Sequence, residues 1–202
     1  NHAKNGGLVT FGIVPNSPNT DFGYINYINE LSSEIFEVNK FVEKPDKKTA
    51  ESYLKDGCYL WNSGMFMFQP ELLVKELSIH CIEIVNAVRE SLENSNHDLD
   101  FIRLEAEAFK SSPDISIDYA LLEKSNNVVV VKLDAGWSDV GSWSSLYEIS
   151  KKDKDGNVLK GDVFTEETYD SYIDSRNHIV ATIGVSNLVI VDTPDATMIA
   201  SK

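Results

Sequence analysis

The run Val128-Val129-Val130-Val131-Lys132-Leu133 is almost wholly apolar and β-branched, and a run of that length and kind reads as a buried strand. The residues just downstream narrow the fold further. Gly136-Trp137-Ser138-Asp139-Val140-Gly141-Ser142-Trp143 sets one carboxylate between two tryptophans and two glycines, and Ser142 to Ser150 reads as the start of a helix. An inner strand, a glycine-punctuated turn and a helix define an α/β arrangement, in which a carboxylate at the strand's end lies where metals and phosphates bind. Asp139 has a structural alternative, capping the helix or bracing the turn. Spacing alone leaves both readings open.

The upstream segments supply the rest of an α/β body. Leu8 to Val14 reads as a strand, Pro15 to Phe22 as a loop, and Gly23-Tyr24-Ile25 resumes extended structure. Ile35 to Val42 reads as another strand and ends in Glu43-Lys44-Pro45. The proline disfavours helix for Lys44, which leaves the two charges extended or in a turn. Asp46 can cap a helix from Lys47 to Lys55 that Gly57 ends. Tyr59 to Phe68 is rich in aromatics and carries Trp61-Asn62-Ser63-Gly64-Met65-Phe66. Pro70 opens a long predicted helix whose Val74, Leu77, Cys81, Ile84 and Val88 form one apolar stripe for a core. Asp98 to Lys110 reads as a second helix, and Ser116 to Lys124 as a third, short one capped by Ser116.

After about Asp153 the texture changes to short β-favouring runs: 162–165, 171–173, 179–183, 188–191 and 197–200. Turn residues such as Ser175-Arg176-Asn177 and Pro194-Asp195 separate them. The expected organisation is therefore a mixed α/β part over 1–152 and a β-rich extension over 153–202. A short β-helix and a small sheet both fit the extension, and no fixed repeat period is visible. Its strand edges need covering, which points to a homodimer through it.

Charge limits the partners. The 202 residues hold 32 acidic and 18 basic side chains, a formal net charge of -14. That argues against a nucleic-acid backbone or an anionic membrane, but not against a nucleotide bridged by a divalent cation. Cys58 and Cys81 lack metal-site spacing and read as packing residues of a reducing, cytoplasmic protein. No apolar stretch approaches membrane-spanning length and no signal peptide opens the chain. Without an initiator methionine, the chain is expected to be a fragment, a processed form or part of something longer.

Several polar residues can carry chemistry, each with a structural counter-reading. If Glu43 and Lys44 are extended they point to opposite sides, so that one could reach sugar hydroxyls and the other a phosphate; for a bare Glu-Lys-Pro a solvated turn is the simpler reading. Asn62 donates and accepts, which suits a sugar hydroxyl, or it serves the backbone in a bulge. Gly23 would let a ligand approach the main chain closely. Asp118 and Lys124 flank a predicted helix, where capping and surface pairing compete with a site role. His2, His80, His97 and His178 share no ligand spacing.

Taken in order, the motifs Phe41-Val42-Glu43-Lys44-Pro45, Trp61-Asn62-Ser63-Gly64-Met65-Phe66, Ser116-Ile117-Asp118-Tyr119-Ala120 and Gly136 to Trp143 resemble the sugar-1-phosphate nucleotidyltransferases, most of all the bacterial mannose-1-phosphate guanylyltransferases. The resemblance extends upstream to Thr10-Phe11-Gly12-Ile13-Val14-Pro15 and downstream to Leu188-Val189-Ile190-Val191. It implies the acceptor half of a Rossmann-like nucleotidyltransferase fold, a mixed sheet flanked by helices, followed by the β-rich extension. It also implies a reaction, GTP and mannose 1-phosphate giving GDP-mannose and pyrophosphate.

Carried over motif by motif, the resemblance makes Asp139 a catalytic ligand of Mg²⁺ and Lys44 a catalytic residue holding the sugar phosphate. Glu43 and Asn62 would bond mannose hydroxyls beside the Gly23 backbone. One departure matters. The family's glycine-rich phosphate loop with its arginine, and a second metal-binding aspartate, have no counterpart in these residues, so the isolated chain is expected to be inactive. Base choice would rest on that other half. A truncated sugar-phosphate-binding module and a nucleotidyltransferase with another base or sugar are the alternatives. Some family members also carry a mannose-6-phosphate isomerase domain, for which these residues offer no identifiable site.

Overall fold

A computed structural model describes residues 2–202, and the chain divides into two compact units, Asn1–Ala135 and Gly136–Lys202. The first unit is built on β1 (Leu8–Ile13), β2 (Tyr24–Ser32), β3 (Ile35–Val42), β4 (Tyr59–Met67) and, after a small hairpin of β5 (Asn96–Asp98) and β6 (Phe101–Arg103), β7 (Val128–Leu133). The strand order is β1-β4-β2-β3-β7, and β7 pairs back onto β1, so the mixed sheet closes into a barrel. Among the described residues, only the β1–β7 pairing within it is parallel. Sequence patterning announces the mixed sheet but not its closure, which depends on pairings between segments far apart in the chain.

The two-residue period of the strands sorts the core. Leu8, Val128 and Val130 face one cluster with Ile25, Phe41 and Leu60, while Val9 and Val129 face another with Ala3. Burial on both faces explains why β7 is a continuous apolar run rather than an alternating one. Each fully buried Val or Leu side chain contributes about 1.5–3 kcal/mol relative to exposure.

Helices accompany this sheet. α1 (Lys47–Asp56) starts where Asp46 accepts the Thr49 N–H and stops at Gly57 in a left-handed conformation, as its sequence dictates. The long helix expected after Pro70 is instead two, α2 (Pro70–His80) and α3 (Ile82–Glu93), broken at Cys81, whose backbone (φ -157°, ψ 66°) is not helical. The apolar positions on the two sides of the break do not form one buried stripe. Leu72, Leu73 and Leu77 meet the core, whereas Val74 and Val88 are left exposed.

The second expected helix also fails over most of its length. Residues 96–103 form the β5–β6 hairpin, whose Leu99 is left-handed (φ 54°) and whose Asp98 pairs with Arg103. The aspartates flanking Leu99 favour a turn, and Phe101-Ile102 favours a strand. Only α4 (Ala106–Lys110) is helical there, capped by the Glu105 carboxylate on the Glu107 and Ala108 N–H groups. The third expected helix is a π turn over Asp118–Leu122 with no side-chain cap from Ser116.

In the second unit, α5 (Trp143–Ile149) begins where the Ser142 hydroxyl accepts the Ser145 N–H. Then come β8 (Val158–Glu166), β9 (Tyr172–Ile183), β10 (Leu188–Asp192) and β11 (Thr197–Ser201), in the order β11-β10-β9-β8. β8, β9 and β10 run parallel, joined by short loops rather than crossover helices. The pairs Val163–Val180, Tyr169–Ser186 and Tyr172–Val189 each lie seventeen residues apart. That constant step is the stacking of successive coils, a β-helix geometry. Its period is hidden in the sequence because the pairs Val158–Tyr172 to Gly161–Ser175 keep a shorter step.

The residues Ser175-Arg176-Asn177, expected to be a turn, lie inside β9, where the register against β8 shifts and the Ser175 hydroxyl bonds the His178 carbonyl. They form a bulge, not a chain reversal. Opposite it, Gly161 is obligatory: φ is +78° and an added Cβ would lie 1.8 Å from the Ser175 carbonyl oxygen. Trp143, Leu146 and Tyr147 of α5 pack on Val158, Tyr172, Val189 and Val191. Compactness therefore groups α5 with the β-rich strands, whereas sequence texture changes only near residue 153. Among the described residues no helix is long and apolar enough to cross a membrane.

Candidate functional site

One corner of the first unit collects three of the residues singled out in the sequence. Tyr24 pairs with both Val42 and Trp61, so Gly23, Glu43 and Asn62 lie at adjacent ends and middles of β2, β3 and β4. The contacts follow from this register. The Asn62 N–H donates to the Gly23 carbonyl at 2.8 Å. A Cβ added to Gly23 would sit 2.4 Å from Glu43 Oε2 and 3.4 Å from Asn62 Cβ, so only glycine leaves the carboxylate its place.

Asn62 is buried and hydrogen-bonded on three sides. Its Oδ1 accepts from the Thr10 hydroxyl at 3.0 Å and from the Gly64 N–H at 3.3 Å, and its Nδ2 donates to Asp118 Oδ1 at 3.1 Å. The bond to Gly64 lies in the bulge where β4 loses register with β1, so the backbone-serving role is real. It uses only the carbonyl side of the amide. Two hydrogens sit on Nδ2 and one is bonded to Asp118, leaving a donor for a ligand.

Glu43 is the electrostatic centre of the corner. Its backbone N–H donates to Glu123 Oε1 at 3.2 Å, while its own Oε2 is buried and accepts no hydrogen bond from the described residues. Burial pushes the Glu43 carboxyl above the usual glutamate range, and the charge of Asp118 pushes it further. Lys44 acts in the opposite direction, and Glu123 adds a smaller upward push. A buried acceptor without a donor is costly, about 1–3 kcal/mol, and a ligand hydroxyl would relieve that cost.

Lys44 is exposed, and its backbone is left-handed at φ 45°. The opposite-sides argument for an extended Glu43-Lys44 pair therefore does not apply. What places Lys44 is a conformation costing about 1–3 kcal/mol in a non-glycine residue, of the kind that collects at functional sites. Lys124 lies elsewhere: its Nζ donates to the His80 carbonyl at 3.4 Å, the last carbonyl of α2. It is a helix C-terminal cation, a structural role.

Asp139 belongs to the second unit. It is exposed in a segment without regular structure, between Gly136 (φ 61°) and Val140 (φ 49°), and the Val140 N–H is taken by the Ser138 hydroxyl. A Cβ on Gly141 would come within 2.6 Å of Asp139 Oδ2. The cap of α5 is Ser142, so the helix-capping reading of Asp139 is excluded. Among the described residues no group of three or more His, Cys, Asp or Glu side chains could hold a metal ion.

The sequence alone assigns no role to Thr10, Asp118 or Glu123. Asp118 stands in one of the recognised motifs, which is the available signal. Glu123 has none, because a π turn has no period that a helix template detects.

A mixed sheet with helices, followed along the chain by parallel β coils, fits a nucleotidyltransferase domain and a β-helix domain. The nucleotidyl transferase family model matches residues 1–156, and the chain belongs to that family. A MannoseP isomerase/GMP-like beta-helix domain model matches residues 161–202.

Among similar proteins, mannose-1-phosphate guanylyltransferase RfbM of Salmonella typhimurium is 50% identical over 201 residues, which is 100% of this chain and 42% of that protein. The mannose-1-phosphate guanylyltransferase of Escherichia coli K12 is 46% identical over 205 residues, covering 43% of its length. This chain thus spans less than half the length of these relatives. The crystal structure of mannose-1-phosphate geranyltransferase from Thermus thermophilus superposes with a TM-score of 0.82 at 31% identity, over 98% of this chain and 57% of that one. That of mannose-6-phosphate isomerase from Helicobacter pylori gives 0.62 at 35% identity, over 68% of this chain and 53% of its own.

Proposed function

We propose that the protein containing these residues is a mannose-1-phosphate guanylyltransferase and that this stretch supplies its sugar-phosphate side. The observation that carries the reading is the buried, unpartnered Glu43 Oε2, set against Gly23 and beside the remaining Asn62 donor. A sugar hydroxyl is both donor and acceptor, so one hydroxyl or an adjacent pair satisfies Glu43 and Asn62 together. The names of the relatives support mannose 1-phosphate as the sugar and GTP as the nucleotide.

In the reaction, a phosphate oxygen of the sugar phosphate bonds to the α-phosphorus of GTP. The bond from that phosphorus to the bridging oxygen breaks, and pyrophosphate leaves with the electron pair. Glu43, Asn62 and the Gly23 main chain orient the sugar, and Lys44 neutralises its phosphate. Positioning and charge neutralisation are the main demands of such a transfer.

Mg²⁺ is held through one or two carboxylates with phosphate oxygens and waters. An exposed, uncapping Asp139 fits as one such carboxylate. Bound there, the cation would supply Lewis-acid neutralisation of phosphoryl charge. We further assign the sugar-phosphate part to 1–152 and the extension to 153–202, in a cytoplasmic homodimer formed through the extension. Its edge strand β11 is exposed along its whole length, which supports an interface there.

Thermal unfolding of the chain with mannose 1-phosphate, glucose 1-phosphate or inorganic phosphate, each with and without Mg²⁺, tests the assignment. Mannose 1-phosphate should raise the midpoint most, since a ligand at a hundred times its Kd stabilises by about 2.7 kcal/mol. Equal shifts with inorganic phosphate would remove the sugar from the reading. The intact protein should form GDP-mannose from GTP and mannose 1-phosphate, and the 202-residue chain alone should not.

A further inference from the structure

The segment Asp118–Leu122 is a π turn, closed by the Glu123 N–H on the Asp118 carbonyl at 3.0 Å. The distinction from an α-helix matters for two carboxylates. Five α-helical residues turn the chain through about 500°, which leaves the two side chains about 140° apart. The wider i to i+5 repeat brings them back toward one face, and such turns recur at functional sites. Here Asp118 accepts from Asn62 Nδ2 at 3.1 Å and Glu123 accepts from the Glu43 N–H at 3.2 Å. One short turn therefore grips both sugar-facing residues, one by its side chain and the other by its main chain.

We propose that Asp118 is a positioning residue that sets which way the Asn62 amide faces, and that the π turn exists to deliver Asp118 and Glu123 together to the sugar corner. An ionised carboxylate only accepts hydrogen bonds, so the Asn62 atom facing Asp118 must be the NH₂. The opposite end of the amide is then the carbonyl, and it meets the Thr10 hydroxyl and the Gly64 N–H. With the amide locked, the corner offers a ligand one N–H donor from Asn62 and one acceptor from Glu43. A hydroxyl, or two neighbouring hydroxyls, matches that pair, whereas a deoxy or carbonyl position does not.

Asp118 has a second effect that a purely structural brace would lack. Its charge raises the Glu43 carboxyl, as burial does more strongly, while Lys44 opposes and Glu123 reinforces it. Removing the Asp118 charge should lower the Glu43 pKa and move the acid limb of sugar-phosphate binding to lower pH.

The inference rests on the sugar-phosphate reading of this corner. It is tested with the Asp118→Asn, Asp118→Glu and Glu123→Gln variants of the intact protein, measuring KM for mannose 1-phosphate, KM for GTP and kcat across pH. Asp118→Asn can meet Asn62 with either end of its amide. It should raise KM for mannose 1-phosphate about tenfold, as expected for one lost bond to a charged group, with KM for GTP and kcat nearly unchanged and the acid limb shifted down. Asp118→Glu should restore part of the KM without the shift. Glu123→Gln should cost less, because a neutral carbonyl still accepts the Glu43 N–H. An unaltered KM and acid limb in Asp118→Asn overturns the inference while leaving the sugar-phosphate reading intact. A wild-type protein that does not use mannose 1-phosphate overturns both.

Discussion

Glu43 in the first unit and Asp192 in the second both have carboxylate atoms withdrawn from water, and the chain treats them in opposite ways. Asp192 accepts the His178 N–H at 2.9 Å and the Thr197 hydroxyl at 2.8 Å, and the His178 ring lies 3.3 Å away. These contacts, the His178 N–H first, hold its carboxyl below the usual aspartate range. Glu43 has Oε2 buried without a donor and two further carboxylates nearby, and its carboxyl is pushed up. A carboxylate whose own chain supplies its donors holds a fold together. One that has two carboxylates nearby and an oxygen left unbonded gains little from the fold, and on the proposed reading a ligand supplies the missing donor. Asp139 is a third kind, exposed and tied to nothing that the fold needs.

The strongest way to break this contrast is Asp139→Ala in the intact protein. On the proposed role, losing this carboxylate weakens the hold on a cation worth several kcal/mol to the transition state, so kcat should fall on the order of a hundredfold or more. The unfolding midpoint should barely move, since exposed substitutions away from caps and packing stay within about 0.5 kcal/mol. A near-normal kcat would return Asp139 to the turn.

Glu43→Gln sharpens the comparison at smaller amplitude. The amide keeps the shape but loses the charge-assisted acceptor, so KM for mannose 1-phosphate should rise about tenfold with kcat little changed. Its unfolding midpoint near neutral pH should be unchanged or higher, because a buried charge among like charges is removed. Asp192→Asn should do the reverse, lowering the midpoint of the second unit by unsettling the His178 and Thr197 donors. If both substitutions destabilise alike, the distinction between the two corners fails.

How much of this is readable in the sequence differs by element. The Asp46 cap and the Gly57 stop are written locally, and the structure follows them. Gly23, Glu43 and Asn62 can be picked out because their motifs are local, yet their meeting depends on strand register across the barrel. The break at Cys81 and the β5–β6 hairpin both pass for helix in the sequence: apolar residues three and four apart satisfy a helical template even when two short helices or a hairpin use them. The contributions of Asp118 and Glu123 lie in a π turn, and the β-coil step of seventeen is masked by the bulge in β9. Each of these departures breaks a single regular period, by a helix break, a hairpin, a wider turn or a shift in coil step, which is what a periodic reading cannot register.

The smallest predicted effect is the pH dependence of stability, where the two corners should have opposite slopes. For Glu43 the folded pKa lies above the unfolded one. Between those two values the native state holds more protons than the unfolded chain, so stability falls as pH rises through that window and stays lower above it. For Asp192 the folded pKa lies below the unfolded one. Its contribution is present above the unfolded value and is lost as pH falls through the folded value. Urea unfolding from about pH 3 to pH 7, comparing each variant with the wild type, separates the two. Relative to wild type, Glu43→Gln should gain stability on going from acid to neutral, and Asp192→Asn should lose it. The Glu43 effect is modest because solvent screens a partly exposed group, so the sign of each slope carries the result. Slopes of the same sign would mean that Glu43, like Asp192, is satisfied within the folded chain, and the sugar corner would then lack the unbonded acceptor on which its reading depends.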